Sequence, residues 1–189
     1  MIRATPARVL LAAWAVATLG IGVALTALHD VPLPPPATAA LAASDRPTMI
    51  HALDTRCGCS KRLAEYLVGR GPTPKAHEIV LVSGEPAELV AQLRARGFDA
   101  RAMAESEMQT SYQIESVPSL VIARADGSVA YRGAHRPRPQ MDPADLDLLA
   151  EVESGASPNA LAIFGCAVSR ALQERIDPLG IKFGKWSTP

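Results

Sequence analysis

The chain opens with one long apolar run, and shorter apolar runs and amphipathic stretches follow it. Residues 9–28 carry no charge, and at about 1.5 Å per residue a helix of that length crosses a hydrocarbon core of roughly 30 Å. Arg3 and Arg8 precede the run and Asp30 follows it, so the positive-inside rule places the N-terminus in the cytoplasm. The pattern predicts a cytoplasmic N-terminus over 1–8 and a transmembrane anchor over 9–28.

A cleaved secretory signal is the alternative interpretation of this run. The apolar region of such a signal is normally about 7–15 residues long, which is shorter than the run, but small residues near 37–43 suit a cleavage site. In both cases the rest of the chain is exported. The segment 29–45 is rich in proline and alanine, with three consecutive prolines at 34–36 that favour polyproline II. We therefore predict a semi-rigid linker that holds the following domain off the membrane.

The patterns after the linker predict one domain over 46–176 and an irregular tail over 177–189. This alternation of elements predicts an α/β fold with a mixed sheet flanked by helices. Short apolar runs indicate strands at 48–53, 78–82, 119–123 and 129–132, with a weaker strand at 98–103. Apolar stripes at helical spacing indicate helices from 60 to about 69 and over 85–96, 105–112, 142–153 and 160–176.

Length and charge narrow the classes of function. A length of 189 residues allows one ordinary domain with an appendage. The 19 basic side chains are balanced by 19 acidic ones, and only 4% of the residues are aromatic. The chain therefore has neither a broad basic field nor a set of stacking platforms, and we exclude nucleic acid as a partner.

Two cysteines lie where the first predicted strand ends and a helix begins. The N–H groups and dipole of a helix N-terminus stabilise a thiolate, and Arg56, Lys61 and Arg62 flank Cys57 and Cys59. We therefore expect lowered thiol pKa values and a pair that alternates between dithiol and disulfide. The residue between the cysteines is glycine, which tolerates the unusual backbone angles of so tight a ring. Strain in that ring would make the couple oxidising. A structural disulfide and two ordinary buried thiols are the alternatives.

A valine–proline step immediately precedes a predicted strand. Val117-Pro118 enters that strand, and a hairpin turn at Asp126-Gly127 follows it. This order, with a cysteine motif after the first core strand and a helix after the motif, resembles the thioredoxin-like superfamily over about 48–153. The resemblance implies that Pro118 is cis and packs against the cysteine pair. It also implies that Val117 presents backbone groups to an extended substrate.

The resemblance further implies that Cys57 is the exposed attacking thiol and that Cys59 is the resolving thiol. Two features depart from the family pattern. Only Gly58 separates the cysteines, where the family has two residues, and Arg56 stands where the family has tryptophan. For that reason we do not transfer the family's reaction rate, redox potential or choice of partner to this chain.

Two more residues are candidate auxiliaries of the cysteine pair. Asp54, three residues before Cys57, either caps the following loop or relays protons to Cys59, and we favour the cap. Cys166 lies on the predicted helix 160–176, away from its main apolar stripe. It either has a redox or ligand role, including a mixed disulfide with the pair, or packs on a second buried side. Packing is the favoured interpretation.

The histidines give weaker evidence for a functional site than the cysteines do. His135 lies in a basic, proline-interrupted loop after the hairpin, and we expect it to be exposed. Its alternative role is a metal ligand or a charge that faces the substrate. His51, inside the first strand, is predicted to be structural, and His77 is predicted to lie at a strand edge.

Three functions fit these features. The first is a membrane-tethered thiol–disulfide oxidoreductase without a cofactor, in the bacterial inner membrane with its domain in the periplasm. Its partners would be exported proteins with thiols or disulfides, and an electron donor or acceptor in the membrane. The second is a copper(I) assembly chaperone with a thioredoxin-like fold, in which Cys57, Cys59 and His135 bind the ion. The third is a non-catalytic thioredoxin-like interaction module with the pair locked as a structural disulfide.

Overall fold

The computed structural model describes residues 5–29, 32–38, 40–137, 141–178, 180 and 183. The chain divides into two compact units, Met1–Val31 and Pro32–Pro189. Of the predicted irregular tail, only 177, 178, 180 and 183 fall among the described residues.

The first unit contains one helix, α1, over Pro6–His29. Its segment Pro6–Ala24 is long and apolar enough to span a membrane, and a signal sequence near an N-terminus meets the same test of length and composition. Large apolar side chains along it are exposed, among them Val9, Leu10, Leu11, Trp14 and Leu19. The charges at Arg3 and Asp30, on which the predicted orientation depends, lie outside the described residues.

The second unit alternates strands and helices. Its strands are β1 Thr48–Asp54, β2 His77–Ser83, β3 Asp99–Ala102, β4 Ser116–Val117, β5 Ser119–Ala123, β6 Val129–Gly133 and β7 Cys166–Ala167. Its helices are α2 Gly58–Arg70, α3 Ala87–Ala95, α4 Glu105–Tyr112, α5 Asp145–Glu153 and α6 Arg170–Ile176.

Five strands form the main sheet in the order β3-β2-β1-β5-β6. β1 runs parallel to β2, and β2 parallel to β3, whereas β5 is antiparallel to both β1 and β6. β1 is buried along its whole length, and β2 is buried beyond its first residue. Strands covered on both faces suit apolar runs with little alternation, which is the pattern of these two segments. The predicted mixed sheet flanked by helices is confirmed.

Alternate residues of the central strands pack against different helices. On one face, Leu53 and Val80 pack with Leu63 and Leu67 of α2, and the same face of β5 packs against α5. On the other face, the core of β1, β2 and β5 includes Met108 of α4 and reaches Cys57. The cysteine motif therefore lies where β1 leaves the sheet and α2 crosses over it.

The proline–alanine segment is not a free linker over its described residues. Leu33 is 3% exposed, packs with Ala134 and Ile163, and its N–H donates to the Ile163 carbonyl at 2.8 Å. The Ser116 hydroxyl donates to the Pro34 carbonyl at 2.7 Å. Since Leu33 is buried among apolar side chains, the segment from Pro32 onward packs as part of the second unit. The predicted linker over 29–45 is corrected accordingly.

The predicted helix over 160–176 is also wrong in its first half. Residues 166–167 form β7, which pairs antiparallel with β4, and the helix begins only at Arg170. Two local features explain the late start. A Cβ at Gly165 would lie 1.9 Å from the Val117 carbonyl oxygen, so the chain there is pressed against β4. Ser169 then caps α6 by accepting the Leu172 N–H at 3.1 Å.

Candidate active site

Cys57 occupies the N-cap position of α2. Its carbonyl accepts the Lys61 N–H at 3.0 Å, and its own N–H donates to the Asp54 carbonyl at 3.1 Å. The predicted strand-to-helix junction is confirmed. Gly58 is the first helical residue, has no positive φ, and a Cβ there would meet nothing within 4 Å. The reduced pair therefore needs no unusual backbone angle at Gly58, and the angle expected for the disulfide-closed ring stays a prediction.

The two cysteines differ in exposure, in the opposite sense to the one expected. Cys57 is 2% exposed, and its Sγ lies 3.9 Å from the Val117 carbonyl oxygen. Cys59 is only half-buried. β4 and its partner β7 cover the N-cap position, whereas the second residue of α2 faces the cleft beside it. Of this pair, Cys59 therefore has the more accessible thiol.

The third cysteine belongs to the same cluster. In the β4–β7 pair, Cys166 lies opposite Val117, whose carbonyl contacts the Cys57 thiol. The thiols of Cys59 and Cys166 both interact with that of Cys57. We call Cys57, Cys59 and Cys166 the thiol cluster, and none of the three forms a disulfide in this structure. Cys57 is its central member.

The environment of the cluster raises thiol pKa values rather than lowering them. Interaction with Cys166, and then burial, raise the pKa of Cys57, while Cys59 acts in the lowering direction. Interaction with Cys57, and then burial, raise the pKa of Cys59, only partly offset by Arg62. The Arg62 Nη2 lies 3.7 Å from the Cys59 Sγ. The predicted lowering of the thiol pKa values is wrong, because neighbouring thiols outweigh the helix N-terminus.

Asp54 caps the loop, as favoured. Its Oδ1 accepts the Arg56 N–H at 2.7 Å, and its Oδ2 accepts the Ser83 hydroxyl at 2.7 Å. The Arg56 side chain pairs with Asp54 at 2.7 Å and also with Glu105. Burial raises the pKa of Asp54, but hydrogen bonds from Arg56 and Ser83 outweigh burial and lower it. The Arg56 charge is thus engaged by carboxylates, although it also interacts with Cys166.

The Val117–Pro118 peptide bond is cis, as the resemblance implies. Val117 is fully buried in the core that contains Cys57. Pro118 lines a small cavity of about 20 Å³ beside the cysteine pair. The other residues that line this cavity are Cys59, Arg62, Leu63, Ala134, His135, Arg136 and Phe164. The predicted site residues Cys59 and Pro118 therefore share one cavity.

His135 is the residue whose environment was least foreseen. It is 2% exposed, and its Nε2 lies 2.9 Å from the Nδ1 of His51. The predicted exposed loop histidine is wrong. Its neighbour Ala134 packs with Leu33 and Ile163 in a buried cluster, a contact between distant segments that no local pattern indicates. His77, by contrast, lies exposed at the start of β2, at a strand end as predicted.

His51, in the central strand β1, belongs to a buried ionic network. We use the name ionic network for His51, Tyr66, Arg70, Glu78, His135 and Asp145. The Nε2 of His51 lies 2.9 Å from a Glu78 carboxylate oxygen. Arg70 pairs with Glu78 at 2.6 Å and with Asp145 at 2.7 Å. The Tyr66 hydroxyl donates to Asp145 at 3.0 Å.

A metal site requires several donor atoms close to one another. Among the described residues, the group of three donors within 4.8 Å of one another is His51, Glu78 and Asp145. The Arg70 guanidinium already pairs with both carboxylates. Neither carboxylate is therefore left with an unpaired charge that would bind a metal cation. The alternative copper ligands Cys57, Cys59 and His135 do not form such a group in the described part of the chain.

Comparison with known proteins gives matches among solved structures. No protein-family model and no curated protein matches the chain. An uncharacterized conserved protein from Geobacillus kaustophilus is 18% identical with a TM-score of 0.49, over 74% of this chain and 90% of that one. A secreted disulfide oxidoreductase from Mycobacterium tuberculosis is 14% identical with a TM-score of 0.44, over 58% and 83%.

A third neighbour is described as a thioredoxin-like superfamily protein. It is 17% identical with a TM-score of 0.38, over 69% of this chain and 99% of that one. All three TM-scores are below 0.5, so the strand order and the cis peptide observed in this chain carry the assignment. The second unit has a thioredoxin-like fold.

Proposed function

We propose that the chain is a membrane-tethered thiol–disulfide oxidoreductase that exchanges disulfides with exported proteins through the thiol cluster. The observation that carries this proposal is the position of Cys57, which interacts with two other thiols beside the cis Val117–Pro118 peptide. Disulfide exchange needs an attacking thiol and a second thiol within reach of the first sulfur. Here the central thiol has a neighbour on each side.

Exposure assigns the first step to Cys59. Its thiolate attacks one sulfur of a substrate disulfide, which forms a mixed disulfide and releases the other substrate sulfur as a thiolate. Cys57 then attacks the Cys59 sulfur, forms the Cys57–Cys59 disulfide and releases the second substrate thiolate. Two cysteines are oxidised and one substrate disulfide is reduced. The reverse sequence donates a disulfide to a substrate dithiol.

Cys166 extends the exchange by one step. Its thiolate attacks the Cys57 sulfur of the Cys57–Cys59 disulfide, forms a Cys57–Cys166 disulfide and releases Cys59 as a thiolate. This step changes neither the number of disulfides nor the oxidation state of the protein. It returns the half-buried Cys59 to its reduced form, while the disulfide is held between the buried Cys57 and the half-buried Cys166. Arg56, which interacts with Cys166, stabilises the attacking thiolate.

The partners follow from the location of the domain. The apolar segment Pro6–Ala24, with the charges that flank it, favours an inner-membrane tether and a domain in the periplasm. Exported proteins with thiols or disulfides are then the substrates. An electron donor in the same membrane would reduce the cluster again after it has reduced a substrate, and an electron acceptor would reoxidise it after the reverse reaction, since the cluster alone holds only one disulfide.

The test is a redox titration of the full-length chain in glutathione buffers, with the disulfides identified by mass spectrometry. We expect a reversible two-electron transition that produces both the Cys57–Cys59 and the Cys57–Cys166 disulfides. Cys57→Ser removes the thiol common to both and should abolish the transition. Cys166→Ser is the matched control, because it should keep the Cys57–Cys59 transition.

Two outcomes would contradict the proposal. A Cys57–Cys59 disulfide that stays oxidised across the whole buffer range would indicate a structural disulfide in an interaction module. Stoichiometric copper(I) uptake that is lost in Cys57→Ser, without a redox transition in the parent, would indicate the copper carrier.

A further inference from the structure

The central thiol of the cluster is covered on the side of β4. Cys166 of β7 lies opposite Val117 in the β4–β7 pair, and the Val117 carbonyl contacts the Cys57 thiol. A Cβ at Gly165 would lie 1.9 Å from the same carbonyl oxygen, so no further segment fits between these two strands. Cys57 itself is 2% exposed. A substrate therefore approaches from the side of Cys59, and the groups around Cys59 decide which substrates bind.

Two arginines lie around Cys59. The Arg62 Nη2 lies 3.7 Å from the Cys59 Sγ, and both residues line one small cavity together with Arg136. Arg62 is exposed, whereas Arg136 is half-buried and donates to the Met141 carbonyl at 2.9 Å. Arginine stays protonated at neutral pH, so both side chains carry a positive charge. The more accessible thiol of the pair is therefore flanked by two cations.

Arg62 differs from the other arginines near the two ends of α2. Arg56 pairs with Asp54 at 2.7 Å, and Arg70 pairs with Glu78 at 2.6 Å. Within the part of the chain that the structure describes, the Arg62 guanidinium forms no ion pair with a carboxylate. Its exposed charge is therefore available to an anion that a substrate brings.

The two arginines beside Cys59 also repel one another. Burial first, and then the charge of Arg62, lower the pKa of Arg136. A thiolate at Cys59 and the carboxylates of Asp142 and Asp145 act in the opposite direction. A carboxylate at Arg62 would offset part of this repulsion. The planar guanidinium also suits a carboxylate, which it can bind with two parallel hydrogen bonds.

We propose that Arg62, next to Arg136, selects substrate disulfides that carry a carboxylate close to the reacting sulfur. The inference deepens the proposed disulfide exchange and rests on it. The carboxylate belongs to an acidic side chain beside the cysteine of an exported protein. The cavity, of about 20 Å³, holds only about one water molecule, so the carboxylate binds outside it, at the exposed Arg62. The Cys59 thiolate then attacks the nearby sulfur. A mixed disulfide forms as the substrate S–S bond breaks, and the other substrate half leaves as a thiolate.

Arg62 is a specificity-determining residue in this proposal, and that role is separable from its effect on the thiol. The pKa of Cys59 is raised first by Cys57 and then by burial, and Arg62 offsets part of that rise. A change in the thiolate fraction alters the rate with every disulfide by the same factor. Selection by charge instead alters the ratio between the rates of anionic and cationic disulfides.

The test measures how fast Cys59 alone reacts with small disulfides of different charge. In the full-length chain with Cys57→Ser and Cys166→Ser, mass spectrometry follows the mixed disulfide at neutral pH. The disulfides of mercaptopropionate, mercaptoethanol and cysteamine are anionic, neutral and cationic, respectively. We expect Arg62→Gln to lower the ratio of the anionic to the cationic rate by about fivefold at low ionic strength. Salt at about 0.5 M should remove most of this difference by screening.

Two further variants serve as matched controls. Arg62→Lys keeps the positive charge and should retain most of the ratio. Arg46→Gln also removes one positive charge, but Arg46 precedes β1, whereas the cysteine motif follows its other end. Arg46 pairs there with Asp45, and its loss should leave the ratio unchanged. An equal change of all three rates in Arg62→Gln, or the same fall of the ratio in Arg46→Gln, would overturn the proposal.

Peptides test the source of the carboxylate. Disulfides of peptides with blocked termini and aspartate beside the cysteine should react faster than the same peptides with asparagine. Arg62→Gln should reduce that difference. A preference that appears with the small anionic disulfides but not with these peptides would overturn the assignment to acidic protein substrates.

These rates do not depend on the redox cycle of the cluster, because a single cysteine forms the mixed disulfide. If the parent fails the glutathione titration while the ratio still depends on Arg62, the proposed function fails and the selection by charge stands. If the titration succeeds and the ratio is unchanged in Arg62→Gln, only the selection by charge fails.

Discussion

The thiol cluster lies at the start of α2 and the Arg70 ion pairs of the ionic network lie at its end, and the two differ in how their polar groups are satisfied. Cys57 caps the start of α2, whereas Tyr66 and Arg70 lie in its last two turns. In the network, both carboxylates, the Tyr66 hydroxyl and the two terminal nitrogens of the Arg70 guanidinium are paired at 2.6–3.0 Å. In the cluster, the thiols mainly face one another and weak acceptors. We infer that the ion pairs of the network stabilise the fold, whereas the thiol cluster serves the proposed exchange.

The largest effect is expected where the ionic network loses its cation. Arg70→Met leaves two buried carboxylates, Glu78 and Asp145, without their shared guanidinium. Breaking a buried ion pair in this way costs about 3–5 kcal/mol. Urea unfolding should show this loss in the free energy of unfolding. The control Arg170→Met breaks an exposed pair with Glu174 and should cost less than about 0.5 kcal/mol. Equal losses in the two variants would contradict the comparison.

Acid should weaken the network through Glu78. Its folded-state pKa of about 2 lies below its ordinary value of 4.5, so the stabilisation is present above pH 4.5 and is lost as the pH falls toward 2. The amount is roughly 3 kcal/mol. The difference in unfolding free energy between the parent and Glu78→Gln should therefore narrow by that amount between pH 5 and pH 2. A constant difference would show that Glu78 is not held as a carboxylate by its partners.

The contrast also explains which parts could be predicted from the sequence. The main strands and most helices follow from apolar runs and stripes, because β1 and β2 are buried along nearly their whole length. The position of Cys57 at a helix start follows from the same local signals. The cis Pro118 and its place beside the cysteine pair came from the family resemblance, which already contains long-range information.

The remaining site residues depend on contacts between distant segments. Cys166 joins Cys57 only through the β4–β7 pairing, which brings together residues about fifty positions apart. His135 is buried because it meets His51 from across the sequence and because the segment at Leu33 packs nearby. A loop histidine among arginines and prolines carries no local signal of such a partner. The apolar spacing over 160–176 likewise predicted one continuous helix, although the helix begins only at Arg170, after the Ser169 cap.

The thiol cluster should be most sensitive at Gly165. A Cβ at that position would lie 1.9 Å from the Val117 carbonyl oxygen and 2.9 Å from the Pro118 Cδ, so Gly165→Ala must push β7 away from β4. Overpacking of this kind costs about 1–3 kcal/mol. We expect the Cys57–Cys166 disulfide to be lost in the glutathione titration, while Cys57–Cys59 persists. Retention of both disulfides would show that Cys166 does not depend on the β4–β7 pair.

The smallest effect is expected at Gly58, although it lies between the two cysteines. In this structure Gly58 has no positive φ, and a Cβ there would meet nothing within 4 Å. Gly58→Ala should therefore leave the fold intact and stabilise α2 by up to about 1 kcal/mol, since alanine favours a helix over glycine. Urea unfolding of the reduced protein tests this. If Gly58→Ala instead weakens only the Cys57–Cys59 disulfide in the titration, the glycine serves the oxidised ring rather than the reduced helix.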